Sequence, residues 1–158
     1  MALLRFSVLV LLLGYSNAHS AGAPSSACNS LTPDHGPGTT ITSGGQPPYT
    51  LDAPARVAPG AATTVSISGA PFKGFIVRAM DAQGNNGGAS FLPGTGYQTL
   101  DCNAPDDTAT HVFSGNGVNS VKLQWSAPKQ PGMYRIVATI VKSYSEIYTG
   151  YFTDVRVQ

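Results

Sequence analysis

The chain has 158 residues, with nine Lys or Arg, eight Asp or Glu and a formal net charge of +1. A charge this close to zero argues against binding dominated by nucleic-acid phosphates, which requires a clustered basic excess. The length is enough for one hydrophobic core and too short for two ordinary domains.

The N-terminus has the pattern of a secretory signal peptide. Arg5 is its only charge, and the apolar run Val8–Leu13 is followed by small residues. A membrane span needs about 20 apolar residues, so we expect a cleaved leader rather than an uncleaved anchor. Cleavage after Ala18 is favoured, and a cut after Ser20 is nearly as good. We therefore predict a signal peptide over residues 1–18 and one soluble, secreted domain over residues 19–158, without a membrane span.

The chain has two cysteines, Cys28 and Cys102. In an exported protein, two thiols are most simply interpreted as one disulfide, which ties the start of the mature chain to its middle. The segment Asn29–Pro48, rich in Gly, Pro and Thr, is expected to be irregular and held against the rest of the fold by Cys28.

Composition and periodicity predict an all-β fold. The 18 glycines, 12 prolines and low charge are typical of β proteins with many turns. Alternation of apolar and polar residues with a period of two indicates strands with one buried face. About seven strands at this spacing favour an immunoglobulin-like antiparallel β-sandwich. The segments that alternate most clearly are, in chain order, Thr63–Gly69, Val121–Ser126, Met133–Val141 and Tyr151–Val157.

Two segments contain exceptions to this alternation. In Phe72–Met80, the alternation places Lys73 on the same face as the apolar residues Phe75 and Val77. A bulge or a strand beginning at Gly74 would explain this. In Met133–Val141, Val137 and Val141 fall on the face that is expected to be exposed to solvent. Either the N-terminal segment or a partner should cover them.

A metal site is the first chemical alternative. The ligand types of a cupredoxin-like centre are present in His35, Cys102, His111 and Met133. Such a site would require a reduced Cys102 and would leave Cys28 without a partner. We therefore expect neither a metal nor another cofactor, and interpret His111 as a hydrogen-bonded strand or turn residue.

Catalytic groups are also poorly supported. The chain has no Gly-x-Ser-x-Gly elbow for a serine nucleophile. Asp101, Asp106 and Asp107 could be considered paired carboxylates, but aspartates beside a cysteine in a turn are more typical of solvated turn formers. We expect a protein that is not an enzyme.

Aromatic residues near the C-terminus are the best candidate for a contact surface. Tyrosine offers flat apolar area and a hydroxyl, which suits carbohydrate or lipid headgroups. The alternative is that about half of these aromatics belong to the core of the final hairpin. The candidate set is Lys142, Tyr144, Tyr148, Tyr151 and Phe152.

Several short motifs follow one another along the chain in a distinctive order. The first half contains Cys28-x-x-Leu31-x-Pro33-x-His35-Gly36, Pro48-Tyr49, Pro59-Gly60 and Phe72-Lys-Gly-Phe75. The second half contains Cys102, Thr110-His111, Trp125-Ser-Ala-Pro128, Gly132 and the strand Ala138-Thr139-Ile140-Val141. In this order and spacing they resemble the reeler domain family over essentially the whole mature chain.

The resemblance implies an immunoglobulin-like sandwich with extra N-terminal structure, a disulfide between Cys28 and Cys102, and no catalytic residues. Trp125 is expected to organise the core. His35 and His111 lie in the motifs nearest the two cysteines, and we expect them to be architectural residues close to the bridge.

A leader followed by a single reeler domain resembles small secreted insect defence proteins of the noduler type. This implies innate immunity through binding of microbial cell-wall components such as lipopolysaccharide, or of blood cells, with promotion of nodulation or an antibacterial response. The alternative is an extracellular structural or developmental matrix protein that uses the same domain.

Overall fold

The computed structural model describes residues 21–45, 47–112 and 114–158. The predicted leader and its cleavage sites at Ala18 and Ser20 lie outside the described residues. Within the described ranges, no helix is both long and apolar enough to cross a membrane. The domain limits given above stay a prediction.

The described residues form an all-β sandwich of two sheets, as predicted. A short 3-10 helix over Ser25–Cys28 precedes the strands. The strands are β1 (Thr40–Thr42), β2 (Tyr49–Asp52), β3 (Arg56–Val57), β4 (Ala62–Phe72), β5 (Gly74–Met80), β6 (Ser90–Leu92), β7 (Tyr97–Leu100), β8 (Thr108–His111), β9 (Val118–Ser126), β10 (Gly132–Ser143) and β11 (Glu146–Val157).

The larger sheet has the order β1-β11-β10-β5-β8-β7, with β3 also paired to β11, and the smaller sheet has the order β2-β4-β9-β6. The body of both sheets is antiparallel, but β1 and β3 pair with β11 in parallel. These short strands cover the outer edge of β11, where unpaired backbone groups would otherwise be exposed. The segment expected to be irregular thus contains one short strand, β1.

The core lies between the two sheets and follows the predicted alternation. Val65 and Ile67 of β4 are fully buried, as are Ile136 and Ile140 of β10. Trp125 of β9 is fully buried among them and stands opposite residues of β4 and β6.

Strand β5 is buried on both faces because the N-terminal segment covers its outer side. The strand begins at Gly74, which is one of the two explanations considered for the exception in the alternation. Phe75 belongs to the core between the sheets, whereas Ile76 packs on the outside against Ala27 and Leu31. We call Ala27, Leu31 and Ile76 the N-terminal cluster.

The N-terminal cluster also explains the apolar residue on the expected wet face of β10. Val137 packs against it, so the chain itself covers this side chain. Leu31 adopts φ = 51°, a left-handed conformation that costs roughly 1–2 kcal/mol for an L-residue. Burying a leucine side chain is worth about 1.5–3 kcal/mol, so packing of Leu31 in the cluster offsets the backbone strain.

Candidate functional site

A cavity of about 510 Å³ lies between the N-terminal segment and the outer face of the larger sheet. Its walls come from residues 22–35, the start of β5, the loop at 114–115 and the tip of the β10–β11 hairpin. We call it the N-terminal cavity. Its volume falls in the range of about 300–1,000 Å³ that is typical of small-molecule sites.

Three attachments hold the N-terminal wall of the cavity on the sheet. The predicted disulfide between Cys28 and Cys102 is present, with 5.4 Å between the Cα atoms. Arg78 donates from Nη1 to the carbonyl oxygen of Cys28 at 3.3 Å. The backbone N–H of Ala23 donates to Oγ1 of Thr110 at 2.9 Å. Covalent and polar contacts therefore fix the wall at several points along its length.

Asp107 organises the loop that carries the second cysteine of the bridge. Its carboxylate accepts hydrogen bonds from the backbone N–H groups of residues 102–104 at 2.9–3.2 Å and from the hydroxyl of Thr108 at 2.9 Å. Nη2 of Arg78 lies 3.4 Å from it. The expectation of a solvated turn former is correct for the exposed Asp101 and wrong for Asp107, which is 2% exposed. These donors replace the water that a buried carboxylate loses.

His111 is the last residue of strand β8 and contacts the first residues of strand β5. Its Nδ1 lies 3.3 Å from both the backbone N and the carbonyl oxygen of Phe75. A Cβ on Gly74 would come within 3.0 Å of Cε1 of the imidazole ring. Glycine at position 74 therefore lets the ring approach the β5 backbone, and His111 is the hydrogen-bonded strand residue that we predicted.

His35 fixes the tip of the β10–β11 hairpin. Its Nδ1 lies 2.7 Å from the carbonyl oxygen of Tyr144, and the two rings stack with centroids 5.0 Å apart and an interplanar angle of 7°. A carbonyl only accepts hydrogen bonds, so Nδ1 of His35 is the donor and carries a proton. Tyr144 remains 48% exposed. We call this pair the aromatic platform.

The structure brings both histidines to the N-terminal cavity. His35 lines it at the hairpin tip, and His111 lines it at the start of β5. Lys73, in the connection between β4 and β5, adds an exposed ammonium group. In the described part of the chain, Lys73 makes no ion pair, so its charge is available at the rim.

The residues of the candidate contact surface do not form one surface. Tyr148 and Tyr151 face inward and meet the ring of Tyr49 edge-on, with centroids 5.1 and 6.1 Å away. Tyr151 is 3% exposed, so its inclusion in a contact surface is wrong. Successive residues of a strand point to opposite faces, which places Phe152 outside, 55% exposed. Tyr144 belongs to the cavity, and Phe152 lies outside its lining.

The charged groups beside these aromatics are paired. Nζ of Lys142 lies 2.9 Å from Oε1 of Glu146, and this hydrogen bond raises the pKa of Lys142. Arg135 donates to both carboxylate oxygens of Asp154 at 2.8 and 2.9 Å and lies 4.2 Å above the ring of Phe152. The hydrogen bond from Arg135 lowers the pKa of Asp154. A ligand would have to compete with these internal partners.

Tyr49 is expected to make the protein sensitive to alkali. Burial, and then the neighbouring Tyr148 and Tyr151, raise the pKa of Tyr49 to about 12, whereas an unfolded tyrosine has a pKa of about 10. Its contribution to stability is fully present below about pH 10 and is lost as the pH rises from about 10 through about 12, by on the order of 2 kcal/mol. Urea unfolding at stepped pH measures this loss.

The variant Tyr49→Phe should show a shallower fall in stability over this alkaline range. It also loses the hydrogen bond from the hydroxyl to the carbonyl oxygen of Pro71, which is 3.2 Å long, so its stability is lower at neutral pH. Tyr144→Phe, at an exposed position, serves as the control and should keep the alkaline slope of the wild type. Identical slopes in all three proteins would contradict the prediction.

The cupredoxin-like alternative loses its thiolate, because Cys102 is bonded to Cys28. Among the residues that the structure describes, no group of three or more His, Cys, Asp or Glu side chains is placed to hold a metal ion.

Comparison with known proteins identifies the fold family. The family profile described as the Reeler domain matches residues 26–156, which is most of the chain. The protein belongs to the reeler domain family. The crystal structure of the human F-spondin reeler domain has a TM-score of 0.60 to this structure at 21% identity, covering 77% of this chain and 96% of that one. At this identity the likeness concerns the fold alone.

Two insect relatives match this reeler domain over nearly all of their length. Defense protein l(2)34Fc of Drosophila melanogaster is 33% identical over 98% of this chain and 99% of that protein. A protein of Bombyx mori that also carries a defense-protein name is 33% identical over 90% of this chain and 87% of that protein. Ferric-chelate reductase 1 of Bos taurus is 26% identical over 87% of this chain, but the match spans only 24% of that protein.

Sequence reasoning did not find the cavity of this reeler domain. Its lining comes from stretches of chain that are far apart, and no local pattern joins them. Two signals pointed to it indirectly, since Lys73 and Val141 both broke the strand alternation and both line the cavity. An apolar residue on a face expected to be exposed thus indicated that another segment covers that face. The cavity is the space between this segment and the sheet.

Proposed function

We propose that this reeler domain is a secreted defence protein that binds microbial cell-wall components such as lipopolysaccharide and acts without catalysis. The observation that carries the proposal is the match to an insect defense protein over 98% of this chain and 99% of that protein. The similarity extends over nearly the whole length of both chains. A shared fold alone does not determine function, so the binding role also needs support from the surface.

The N-terminal cavity and the aromatic platform support a binding role. Tyr144 presents an exposed ring beside an open cavity, and tyrosine suits contacts with sugars and lipid headgroups. Lys73 supplies a positive charge at the same place, and it forms no ion pair with the residues that the structure describes. Because the net charge of the chain is near zero, attraction to the anionic groups of a bacterial surface would come from such a local group.

We extend the proposal to the blood cells of the host. A protein that promotes nodulation by linking microbes to blood cells would use two contact surfaces. The exposed ring of Phe152 beneath Arg135 lies outside the cavity lining and is the candidate for the second surface. An antibacterial response would then follow from the bridging of cells.

The proposal is tested with protein secreted by insect cells that express the full chain. Binding to immobilised lipopolysaccharide, peptidoglycan and β-glucan is measured by surface plasmon resonance, and binding to whole bacteria by co-sedimentation. We expect Tyr144→Ala to weaken binding about tenfold, because tyrosine is over-represented among the few residues that carry most of the binding energy of an interface. Phe152→Ala removes an equally exposed ring from the other surface and should leave microbial binding unchanged.

Two results would overturn the proposal. If the wild-type protein bound none of the wall components and no bacteria, the matrix-protein alternative would be favoured. If Phe152→Ala abolished binding while Tyr144→Ala did not, the assignment of the microbial contact to the cavity end would be wrong.

A further inference from the structure

We infer that the N-terminal cavity binds a single acyl chain, with the acidic head of that chain at Lys73 and His111. This inference deepens the proposed function, on which its biological use depends. It rests on the lining of the cavity, on the unpaired groups at its rim and on the rigid attachment of its outer wall.

The interior of the cavity suits an apolar chain better than a sugar. Side chains without hydrogen-bonding groups cover much of its wall, from the N-terminal segment on one side and the sheet on the other. A buried sugar hydroxyl costs free energy unless it finds a partner, whereas an acyl chain has no such requirement. The apolar lining includes Ala23, Pro24, Ala27, Pro33, Ile76 and Val141.

Polar groups are placed at the cavity to receive the head of such a ligand. The ammonium group of Lys73 makes no ion pair with any described residue. Nδ1 of His35 and Nδ1 of His111 are used by backbone groups, which leaves both Nε2 atoms without a hydrogen-bond partner among the described residues. A carboxylate or phosphate could meet the ammonium group of Lys73. His111 offers a second donor, because its Nδ1 accepts from the backbone N–H of Phe75 and the ring proton is then on Nε2.

The cavity is already formed in the folded chain. The disulfide at Cys28 and the hydrogen bonds at Cys28 and Ala23 hold its outer wall on the sheet. A preformed site loses less conformational freedom when a ligand binds.

Binding is measured with 11-(dansylamino)undecanoic acid, a fluorescent fatty acid, and the full-chain protein secreted by insect cells after lipid extraction. We expect one probe per protein and competition by myristic acid. Val141→Phe fills the cavity from β10 and should weaken probe binding about tenfold or more, because the larger side chain occupies the space that the probe needs. Met133→Phe is the control, because it lies at the other end of β10 and is 47% exposed.

Two further variants test the cavity in case Val141→Phe does not fold. Ser143→Trp narrows the hairpin end of the cavity from a half-buried position and should weaken the probe in the same way. Lys73→Met should weaken myristic acid about threefold, as expected for an exposed charge contact, and leave myristyl alcohol unchanged. Lys129→Met, at an exposed lysine outside the cavity lining, should change neither.

The source of the acyl chain is decided with lipopolysaccharide and its fully deacylated form. Binding of the intact form only, lost in Val141→Phe, would support the cavity as the site for a glycolipid chain. Binding of the free fatty acid without any binding to microbial components would support the cavity and overturn the proposed function. Lipopolysaccharide binding that is unchanged by deacylation and by Val141→Phe would support the proposed function and overturn this inference. The absence of any bound probe would also overturn this inference.

Discussion

Removal of the bridge between Cys28 and Cys102 is expected to lower the melting temperature by about 15 °C. The bridge joins residues 74 positions apart, and closing a loop of that length stabilises a fold by about 4.5 kcal/mol in the chain-entropy model. A domain of this size has a total stability of about 5–15 kcal/mol, so the loss is a large fraction of the whole. Calorimetry on the double variant Cys28→Ala/Cys102→Ala, and on the wild type with and without a reductant, measures it.

Ser30→Ala is the matched control for this prediction, because it changes an exposed residue of the same wall and keeps the bridge. Its melting temperature should remain close to that of the wild type. In the double variant, limited proteolysis should also cut the N-terminal segment first, since that segment loses its covalent attachment. An unchanged melting temperature in both the double variant and the reduced wild type would show that the bridge contributes little.

The second large effect is expected for Asp107→Asn, which should lower the free energy of unfolding by about 3–5 kcal/mol. The side chain of Asp107 is 0% exposed and that of Arg78 is 7% exposed. Neutralising the carboxylate leaves the guanidinium group buried without its counter-charge. The amide also presents an NH2 group in a place where residues 102–104 need an acceptor. Urea unfolding at neutral pH measures the change.

Asp101→Asn is the control for this second prediction. Asp101 is exposed and accepts one hydrogen bond, 2.8 Å long, from the backbone N–H of Asp106, so its loss should cost about 1 kcal/mol or less. Adding Arg78→Met to Asp107→Asn should restore part of the lost stability, because no uncompensated charge then remains. Equal effects of Asp107→Asn and Asp101→Asn would contradict the role of the buried pair.

Both predictions concern the same part of the molecule, the N-terminal wall of the cavity. The bridge holds this wall directly, and Arg78 links the buried aspartate to the carbonyl oxygen of Cys28. The N-terminal cavity exists only while this segment stays on the sheet. Variants that release the segment should therefore lose acyl-probe binding together with stability, whereas Val141→Phe should lose binding with the wall still in place.

Much of the fold could be predicted from the sequence, because strand alternation is a local property. A period of two placed Val65 and Ile67 in the core. The break in alternation at Lys73 indicated either a bulge or a strand beginning at Gly74, and the second is found. The disulfide followed from the presence of two cysteines in a chain with a predicted export signal. Each of these inferences needed only neighbouring residues or the count of one residue type.

The site was decided by the tertiary structure. Alternation separates Tyr151 from Phe152, but only the packing of the hairpin shows that Tyr144 belongs with His35, 109 positions away. The environment of Asp107 likewise depends on Arg78, which reaches it from another strand. The cavity arises where the N-terminal segment crosses the outer face of the larger sheet. Sequence periodicity records which face of a strand is covered, but it does not record which distant segment covers that face or the space left between them.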